Sequence, residues 1–252
     1  MEQLSQLSEK SSALFVVLPV YNEQAALRHV LHEWVPVLRA ACENFVLCAI
    51  NDGSTDSSLR VLTDLSADFP ELEILDQSNS GHGRSCVRGY HAAVSRNAEW
   101  IFQIDSDGQC DPHYFPSLWD KRNEKRSVYG FRYKRDDGLK RLLISRVLTW
   151  FVYAATRGTW VRDPNVPYRL MHVSTVAQHL ALIPDKASLS NIFLAALQER
   201  YNGIDWIDIR FRNRRGGHSS LKPVALLHHV LPLYRQLRQC FSAIRKSAHG
   251  LP

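Results

Sequence analysis

The chain has 252 residues, 45% of them hydrophobic and 22% charged, which is typical of a globular protein with a substantial core. Its formal net charge of +6 favours anionic partners such as nucleotides, phosphate groups or anionic membrane surfaces. The five cysteines are scattered without a CxxC pair, so neither a disulfide framework nor a zinc site is expected, and a reducing cytosol is the expected compartment. We expect no signal peptide and no membrane span, and no nucleic-acid partner because basic and aromatic residues do not cluster in a recognisable module.

The first half of the sequence alternates short apolar strands with segments of helical periodicity. After a polar start at residues 1–12, predicted to be flexible, apolar runs of strand length occupy 13–18, 45–50, 72–75 and 100–104. The order β-α-β-α-β-α-β predicts an α/β fold with a mostly parallel sheet and helices on both faces. We expect Asn22 to cap the first helix, and Ser54, Thr55 or Asp56 to cap the second.

The second half has a looser pattern. Residues 128–131 and 204–211 are predicted to be strands, and 142–156 and 192–200 helices. In the tail, residues 221–252, apolar positions from Leu226 to Ile244 recur at helical spacing with basic residues on the other side. This pattern is compatible with a helix packed on the domain and equally with an interfacial helix on an anionic membrane. We find no repeat or linker, so residues 13–220 are interpreted as one domain.

Paired carboxylates follow the fourth predicted strand, where residues 100–112 read WIFQIDSDGQCDP. Asp105 and Asp107 alternate along the chain, so they can point the same way about 6–7 Å apart. Two such carboxylates suit a hard cation such as Mg²⁺ or Mn²⁺, although for this segment taken alone an Asp-Gly turn after a core strand is the favoured interpretation. Because open α/β sheets bind ligands at the carboxyl ends of their strands, function is expected at this edge.

Four motifs occur in an order that closely resembles glycosyltransferase family 2: LPVYNEQ, INDGSTDSS, NSGHGR and QIDSDGQ. Across residues 13–220 the sequence looks most like the polyprenyl-phosphate branch, whose best-known members are dolichol-phosphate mannose synthases. The resemblance implies a GT-A fold, which is Rossmann-like, followed here by a C-terminal amphipathic helix. It also implies inverting transfer of a sugar from a nucleotide sugar to a lipid phosphate.

The resemblance assigns roles to individual residues. The nucleotide-binding residues are expected to be Pro19, Tyr21, Glu23, Asp52, Gly53 and Asp105, with Asp52 accepting a hydrogen bond from the base. The metal ligands for Mg²⁺ or Mn²⁺ are expected to be Asp105, Asp107 and Gln109. The catalytic residues are expected to be Asp107, Arg214 and Arg132, the arginines holding phosphate oxygens. The acceptor-phosphate residues are expected to be Arg141, Ser145 and Arg169.

The sequence departs from that branch mainly around the acceptor. Ser219-Ser220 replaces the usual Ser-Lys, and residues 166–168 read Val-Pro-Tyr instead of Ser-Gly-Phe. Relatives that glycosylate a hydroxyl usually carry a carboxylate base ahead of a helix, where this chain reads SLSNIF with Asp185 the nearest acid. An anionic phosphate needs no base, so we expect a lipid-phosphate acceptor, with Asp163 or Asp185 kept as alternative bases.

Two alternative functions stay open at this stage. One is a transferase that glycosylates a saccharide hydroxyl in cell-envelope polysaccharide assembly, and the other is a catalytically silent nucleotide-sugar-binding domain. The lipid-phosphate interpretation predicts a cytoplasmic protein held peripherally at the cytoplasmic face of a membrane. A homo-oligomer or a membrane-protein partner is compatible with it.

Overall fold

The computed structural model of the chain describes residues 13–124, 126–136, 139–184, 187, 189–214 and 223–249. Within these ranges, the side chains of residues 135, 139–142, 223–230 and 246–249 are not described. In the described part of the chain, no helix combines the length and apolarity needed to cross a bilayer.

Seven strands form one mixed sheet. They are β1 (Leu14–Val20), β2 (Phe45–Asp52), β3 (Leu72–Gln77), β4 (Trp100–Gln103), β5 (Ser127–Arg135), β6 (Arg169–His172) and β7 (Asp205–Phe211), in the order β3-β2-β1-β4-β6-β5-β7. Only β6 runs against its neighbours β4 and β5, and β7 is parallel to β5. The carboxyl ends of the other six strands therefore lie at the same edge of the sheet, as the fold prediction requires.

Helices cover both faces of this sheet. They are α1 (Leu27–Ala41), α2 (Ser58–Leu65), α3 (His82–Ser95), α4 (Phe115–Asp120), α5 (Leu139–Thr156), α6 (Val173–Leu180), α7 (Ser190–Tyr201) and α8 (Pro223–His249). Trp34 of α1 packs against Phe102 of β4, whereas Tyr90 of α3 donates a hydrogen bond to Gln103. Because consecutive strand residues point to opposite faces, α1 and α3 lie on opposite sides of the sheet.

The loop after β1 corrects one prediction about helix starts. Asn22 has a positive φ of 55°, and its Oδ1 accepts hydrogen bonds from the backbone N–H groups of Thr55 and Asp56. Helix α1 begins only at Leu27, without a side-chain cap, so the prediction that Asn22 caps it is wrong. Asn22 instead ties the loop after β1 to the loop after β2. The N-cap of α2 is Ser57, which makes no side-chain cap, so the prediction that Ser54, Thr55 or Asp56 is the cap is wrong as well. Asp56, one residue earlier, accepts from Ser58 N through its Oδ1.

The C-terminal helix α8 packs along α5. Leu233, Leu237 and Phe241 are buried, and the ring of Tyr234 lies 5.4 Å from that of Phe151 on α5. Arg245 donates a hydrogen bond to the carbonyl oxygen of Thr156, the last residue of α5. Of the two interpretations of the tail, the described side chains therefore show the packed helix.

Candidate active site

The turn after β4 holds the paired carboxylates at the carboxyl edge of the sheet. Ser106 Oγ donates a hydrogen bond of 2.8 Å to the carbonyl oxygen of Pro19, which anchors the turn to the end of β1. Asp107 Oδ1 accepts from the backbone N–H of Gln109 at 3.0 Å. These two hydrogen bonds fix the turn and with it the positions at which Asp105 and Asp107 present their oxygens.

Arg214, which follows β7, joins this turn to the end of β1. Its Nη2 lies 2.8 Å from Glu23 Oε1 and 3.3 Å from Asp107 Oδ2. Three segments that are far apart in sequence therefore meet at the carboxyl edge of the sheet. The structure brings together the guanidinium of Arg214 and the carboxylates of Glu23 and Asp107. Asp105 is close enough for its negative charge to raise the pKa of both of these carboxyl groups.

The carboxylates repel one another and are poorly solvated. Burial raises the pKa of Glu23 to about 7; the charge of Arg214 opposes this rise, while Asp107 and Asp105 add to it. Burial also raises the pKa of Asp107 to about 6, with a further contribution from the negative charge of Asp105. Arg214 and His82, whose Nε2 lies 3.7 Å from Asp105 Oδ1, supply two positive charges to three carboxylates, so the site favours an additional positive charge.

The residues predicted to hold a divalent cation fit that role. Asp105 Oδ1 is buried and accepts no hydrogen bond among the described residues, since His82 Nε2 is 3.7 Å away. Gln109 donates from Nε2 to the carbonyl oxygen of Arg212, which holds its amide in place. The described residues contain no cluster of three or more His, Cys, Asp or Glu that would enclose a metal. Two carboxylates and an amide suit a cation that also binds substrate phosphates.

Asp52 anchors the loop between β3 and α3. Its Oδ1 accepts hydrogen bonds from Gln77 Nε2, Ser80 N and Ser80 Oγ, and its Oδ2 accepts from Gly81 N. Burial raises the pKa of this carboxyl, but these hydrogen bonds outweigh burial and hold it below the usual value. Asp52 is therefore a loop anchor, and its contact with a nucleotide base stays a prediction.

Gly53 is required where the two loops touch. Its φ is +64°, and a Cβ atom there would lie 2.6 Å from the backbone nitrogen of Asn79. The sequence Asn51-Asp52-Gly53 thus brings the loop after β2 against the loop after β3. Tyr21, at the end of β1, stays 44% exposed.

Two arginines predicted to hold phosphates have structural partners. Arg132 is buried and forms a bidentate ion pair with Asp163, with distances of 2.7 and 2.6 Å. Arg169 is fully buried and donates to the carbonyl oxygens of Pro164, Val166 and Asn191. Its guanidinium thus fixes the 164–166 loop, and binding of the acceptor phosphate by Arg169 stays a prediction. A catalytic role for Arg132 stays a prediction, and it would have to coexist with the Asp163 pair.

The sequence profile of glycosyl transferase family 2 matches residues 15–177, which contain the Asp105–Asp107 turn, Glu23 and the anchored loops. This chain belongs to that family. The resemblance noted from the motifs is confirmed.

Curated relatives of this family 2 chain include undecaprenyl-phosphate 4-deoxy-4-formamido-L-arabinose transferases. The one from Yersinia enterocolitica is 29% identical over 59% of this chain and 46% of its own length. The one from Pectobacterium atrosepticum is 28% identical over 56% of this chain and 43% of its own length. The chain therefore spans less than half the length of these relatives.

Solved structures of glucosyl-3-phosphoglycerate synthase from Mycobacterium tuberculosis share the fold. The complex with phosphoglyceric acid has a TM-score of 0.67 at 17% identity and covers 92% of this chain and 80% of that one. The complex with Mn²⁺ and uridine-diphosphate-glucose has a TM-score of 0.66 at 18% identity, covering 92% and 79%. These likenesses confirm the GT-A fold prediction.

Sequence reasoning missed two residues of this family 2 site. His82, in the NSGHGR motif, lies at the first position of α3 beside Asp105. Arg212 pairs with Asp111 at 2.6 Å and with Glu33 at 3.1 Å, and so fastens the segment that carries Arg214. The motif itself was the only signal for His82. Of the predicted acceptor residues, Ser145 is half-buried on α5 and the Arg141 side chain lies outside the described residues. Asp185, the alternative base, also lies outside them.

The raised pKa of Asp107 predicts a pH dependence of stability. Its pKa is about 6 in the folded chain against an ordinary 3.8, so folding favours the protonated carboxyl. This contribution is present below the ordinary pKa and is lost as pH rises through the folded pKa. Across this window we expect the metal-free wild type to lose about 1–3 kcal/mol of unfolding free energy relative to Asp107→Asn, whose amide does not ionise. Urea unfolding in a chelator measures this, and parallel pH profiles of the two proteins would contradict it.

The buried Arg132–Asp163 pair predicts a large loss of stability when one partner is removed. Asp163→Asn leaves the guanidinium without its carboxylate, and we expect a loss of about 3–5 kcal/mol in unfolding free energy. The double variant Arg132→Met/Asp163→Leu should recover much of this loss, since no charge is then buried. Urea unfolding of both variants is the measurement, and a loss below about 1 kcal/mol for Asp163→Asn would contradict a buried pair.

Proposed function

We propose that this chain is a metal-dependent, inverting glycosyltransferase that moves a sugar from a nucleotide sugar to a lipid phosphate at the cytoplasmic face of a membrane. The observation that carries the proposal is the meeting of Glu23, Asp105, Asp107 and Arg214 at the carboxyl edge of the sheet. Such an edge is where open α/β sheets bind their ligands.

The diphosphate of the donor would bind next to Asp105 and Asp107, together with a divalent cation that supplies the positive charge these carboxylates lack. Asp105, Asp107 and Gln109 would hold Mg²⁺ or Mn²⁺, which neutralises the diphosphate as it leaves. Arg214 is 28% exposed and contacts Glu23 and Asp107, so it can turn to phosphate oxygens when a cation satisfies those carboxylates. Tyr21 is the exposed aromatic ring at the end of β1 and would face the nucleotide, with Pro19 and the Asp52–Gly53 loop completing the pocket.

The partners of the acidic residues support a phosphate acceptor, which needs no carboxylate base. Asp163, one candidate base, is buried and bound by Arg132. A phosphate oxygen is already anionic, so it can bond to the anomeric carbon without losing a proton while the nucleoside diphosphate leaves from the opposite face. Arg141 and Ser145 are the proposed contacts for this phosphate. The curated relatives, which are named for undecaprenyl phosphate, support the same acceptor class.

Thermal unfolding with nucleotide sugars tests the donor half of the proposal. We expect a UDP-, GDP- or dTDP-sugar to raise the Tm in the presence of Mn²⁺, because a ligand that binds the folded state stabilises it. Asp107→Asn should lose the part of this shift that depends on Mn²⁺. The matched control is Asp68→Asn, an exposed residue after α2 at the opposite edge of the sheet. A wild-type Tm unchanged by every donor would contradict the proposal.

A further inference from the structure

Helix α5 exposes an apolar stripe to solvent. Leu143, Val147 and Trp150 are 67%, 61% and 62% exposed, and their spacing of four and three residues places them on one side of the helix. Ile144 and Tyr153 are exposed beside them. The opposite side of α5 already packs on the domain and on α8, through residues such as Val152 and Phe151. An apolar stripe turned outward on a helix that is also apolar inward marks an interaction surface.

Aromatic rings extend this stripe beyond the helix. The ring of Trp160, in the loop after α5, lies 4.9 Å from Trp150 and 5.8 Å from Tyr153, edge to face in both pairs. We call Leu143, Ile144, Val147, Trp150, Tyr153 and Trp160 the α5 face. Tryptophan and tyrosine side chains are enriched where proteins meet the membrane–water boundary, since their rings are partly apolar and partly polar.

Positive charge accompanies the α5 face. Residues 138–162 contain five basic residues and no acidic one. Arg146 and Arg162 line a cavity of about 280 Å³ together with Phe131, Thr149, Trp150 and Trp160. Both guanidinium groups lie over the Phe131 ring, at 5.7 and 4.2 Å from its centroid. Arg162 Nη2 also lies 3.6 Å from Oδ1 of Asp208, an exposed residue, while the neighbouring Asp163 is paired with Arg132. The cavity thus offers two cations and aromatic walls to an anion that carries an apolar chain.

The topology places the start of this face at the edge of the sheet that carries the active site. Strand β5 runs in the same direction as β4 and β7, so its carboxyl end lies at the edge where Asp107 and Arg214 meet. Helix α5 begins four residues after the end of β5. A lipid held along α5 would therefore have a route to the proposed sugar-transfer site.

We infer that the α5 face docks on an anionic lipid bilayer, with a lipid phosphate group in the Arg146–Arg162 cavity. The charge pattern favours a bilayer over a second copy of the chain. Pairing about a two-fold axis would set this basic patch against itself, with like charges opposed. The inference rests on the proposed function, which requires a lipid acceptor, and deepens it by assigning membrane contact to α5 instead of α8. The cavity would hold the phosphate of a bilayer lipid, separate from the acceptor phosphate proposed at Arg141 and Ser145.

Vesicle co-sedimentation of the full chain tests this docking. We expect binding to vesicles of phosphatidylcholine with phosphatidylglycerol to be at least about tenfold tighter than to phosphatidylcholine alone, because several basic residues meet the anionic surface. The variants Val147→Ser/Trp150→Ser and Arg146→Gln/Arg162→Gln should each weaken binding by about tenfold or more. The matched control is Leu231→Ser/Arg235→Gln, which removes one exposed apolar and one exposed basic residue from α8 and should bind as the wild type does.

Three vesicle results would overturn the inference. The first is wild-type-like binding of both α5 variants, and the second is loss of binding by the α8 control alone. The third is release of the wild type by inorganic phosphate at matched ionic strength, which would mark a site for free phosphate. Loss of a dimer by the α5 variants, without any vesicle binding, would assign the face to a second copy. The rise in Tm that nucleotide sugars cause tests the proposed function independently of membrane docking, because the α5 variants should still show this rise. Vesicle binding by a protein that transfers nothing to lipid phosphate would refute the function and leave the docking intact.

Discussion

Asp107→Asn is expected to lower sugar transfer by about two to three orders of magnitude while leaving the fold intact. The change is isosteric, and Asp107 Oδ1 can be replaced by an amide oxygen that still accepts from Gln109 N. What disappears is the negative charge beside Asp105 that would hold a divalent cation against the leaving diphosphate. The measurement is kcat with labelled nucleotide sugar in Mn²⁺.

The control for this experiment is Asp68→Asn, which makes the same chemical change at an exposed position far from the site. It should keep wild-type turnover. Near-normal turnover of a well-folded Asp107→Asn protein would remove Asp107 from the metal site and return the segment to a turn after a core strand.

Arg214→Ala is expected to reduce kcat/KM by about a hundredfold or more. Its guanidinium contacts Glu23 and Asp107, and it is the group that we propose holds the diphosphate oxygens as charge develops on them. Arg214→Lys should recover part of the activity, because it restores the charge but not the bidentate geometry. Steady-state kinetics for both variants, with donor affinity from calorimetry, separates lost binding from lost catalysis.

Arg210→Ala is the matched control for Arg214. Arg210 lies on β7, is half exposed and pairs with Asp136. Because an exposed ion pair contributes little to stability, its removal should leave both the fold and the transfer activity unchanged. Equal activity of the Arg214→Ala and Arg210→Ala proteins would show that Arg214 only neutralises the carboxylates and does not contact the donor.

The first half of the fold was predictable because β1, β2 and β4 are largely apolar runs and segments of helical periodicity alternate with the strands. Strand β1, for example, is buried at every position. The second half was harder because β6 has only four residues and is reversed in the sheet. No periodicity of a four-residue strand identifies it or its direction. Its position between β4 and β5 is nevertheless what brings β7, and with it Arg214, to the active edge.

The sequence motifs predicted which residues belong to the candidate site, but they did not predict which side chains contact one another there. The pairing of Glu23 with Arg214 joins positions 191 residues apart, which motif order suggests but spacing does not show. Arg169 was assigned to the acceptor phosphate from the family resemblance, which gives a residue its role without showing what its side chain contacts. Only the packing shows that three carbonyl oxygens already occupy its guanidinium.

The sequence also did not show which of the two amphipathic helices, α5 or α8, buries its apolar residues and which leaves them exposed. Both α5 and α8 have apolar residues at helical spacing, and the sequence tail appeared the better membrane helix because of its basic side. In the structure α8 uses Leu233, Leu237 and Phe241 against the domain, and α5 is left with Leu143, Val147 and Trp150 in solvent. Which of two similar helices covers the other depends on their tertiary contacts.

The central claim is that this family 2 chain transfers sugar to a lipid phosphate, and a direct transfer assay tests it. Labelled nucleotide sugar is incubated in Mn²⁺ and detergent with polyprenyl phosphate, beside parallel reactions with soluble saccharide acceptors. The account predicts a labelled glycosyl-phosphate lipid, no labelled saccharide, and loss of the lipid product in Asp107→Asn but not in Asp68→Asn. Labelled saccharide without any glycosyl lipid, abolished by Asp185→Asn, would contradict it and establish a hydroxyl acceptor with a carboxylate base.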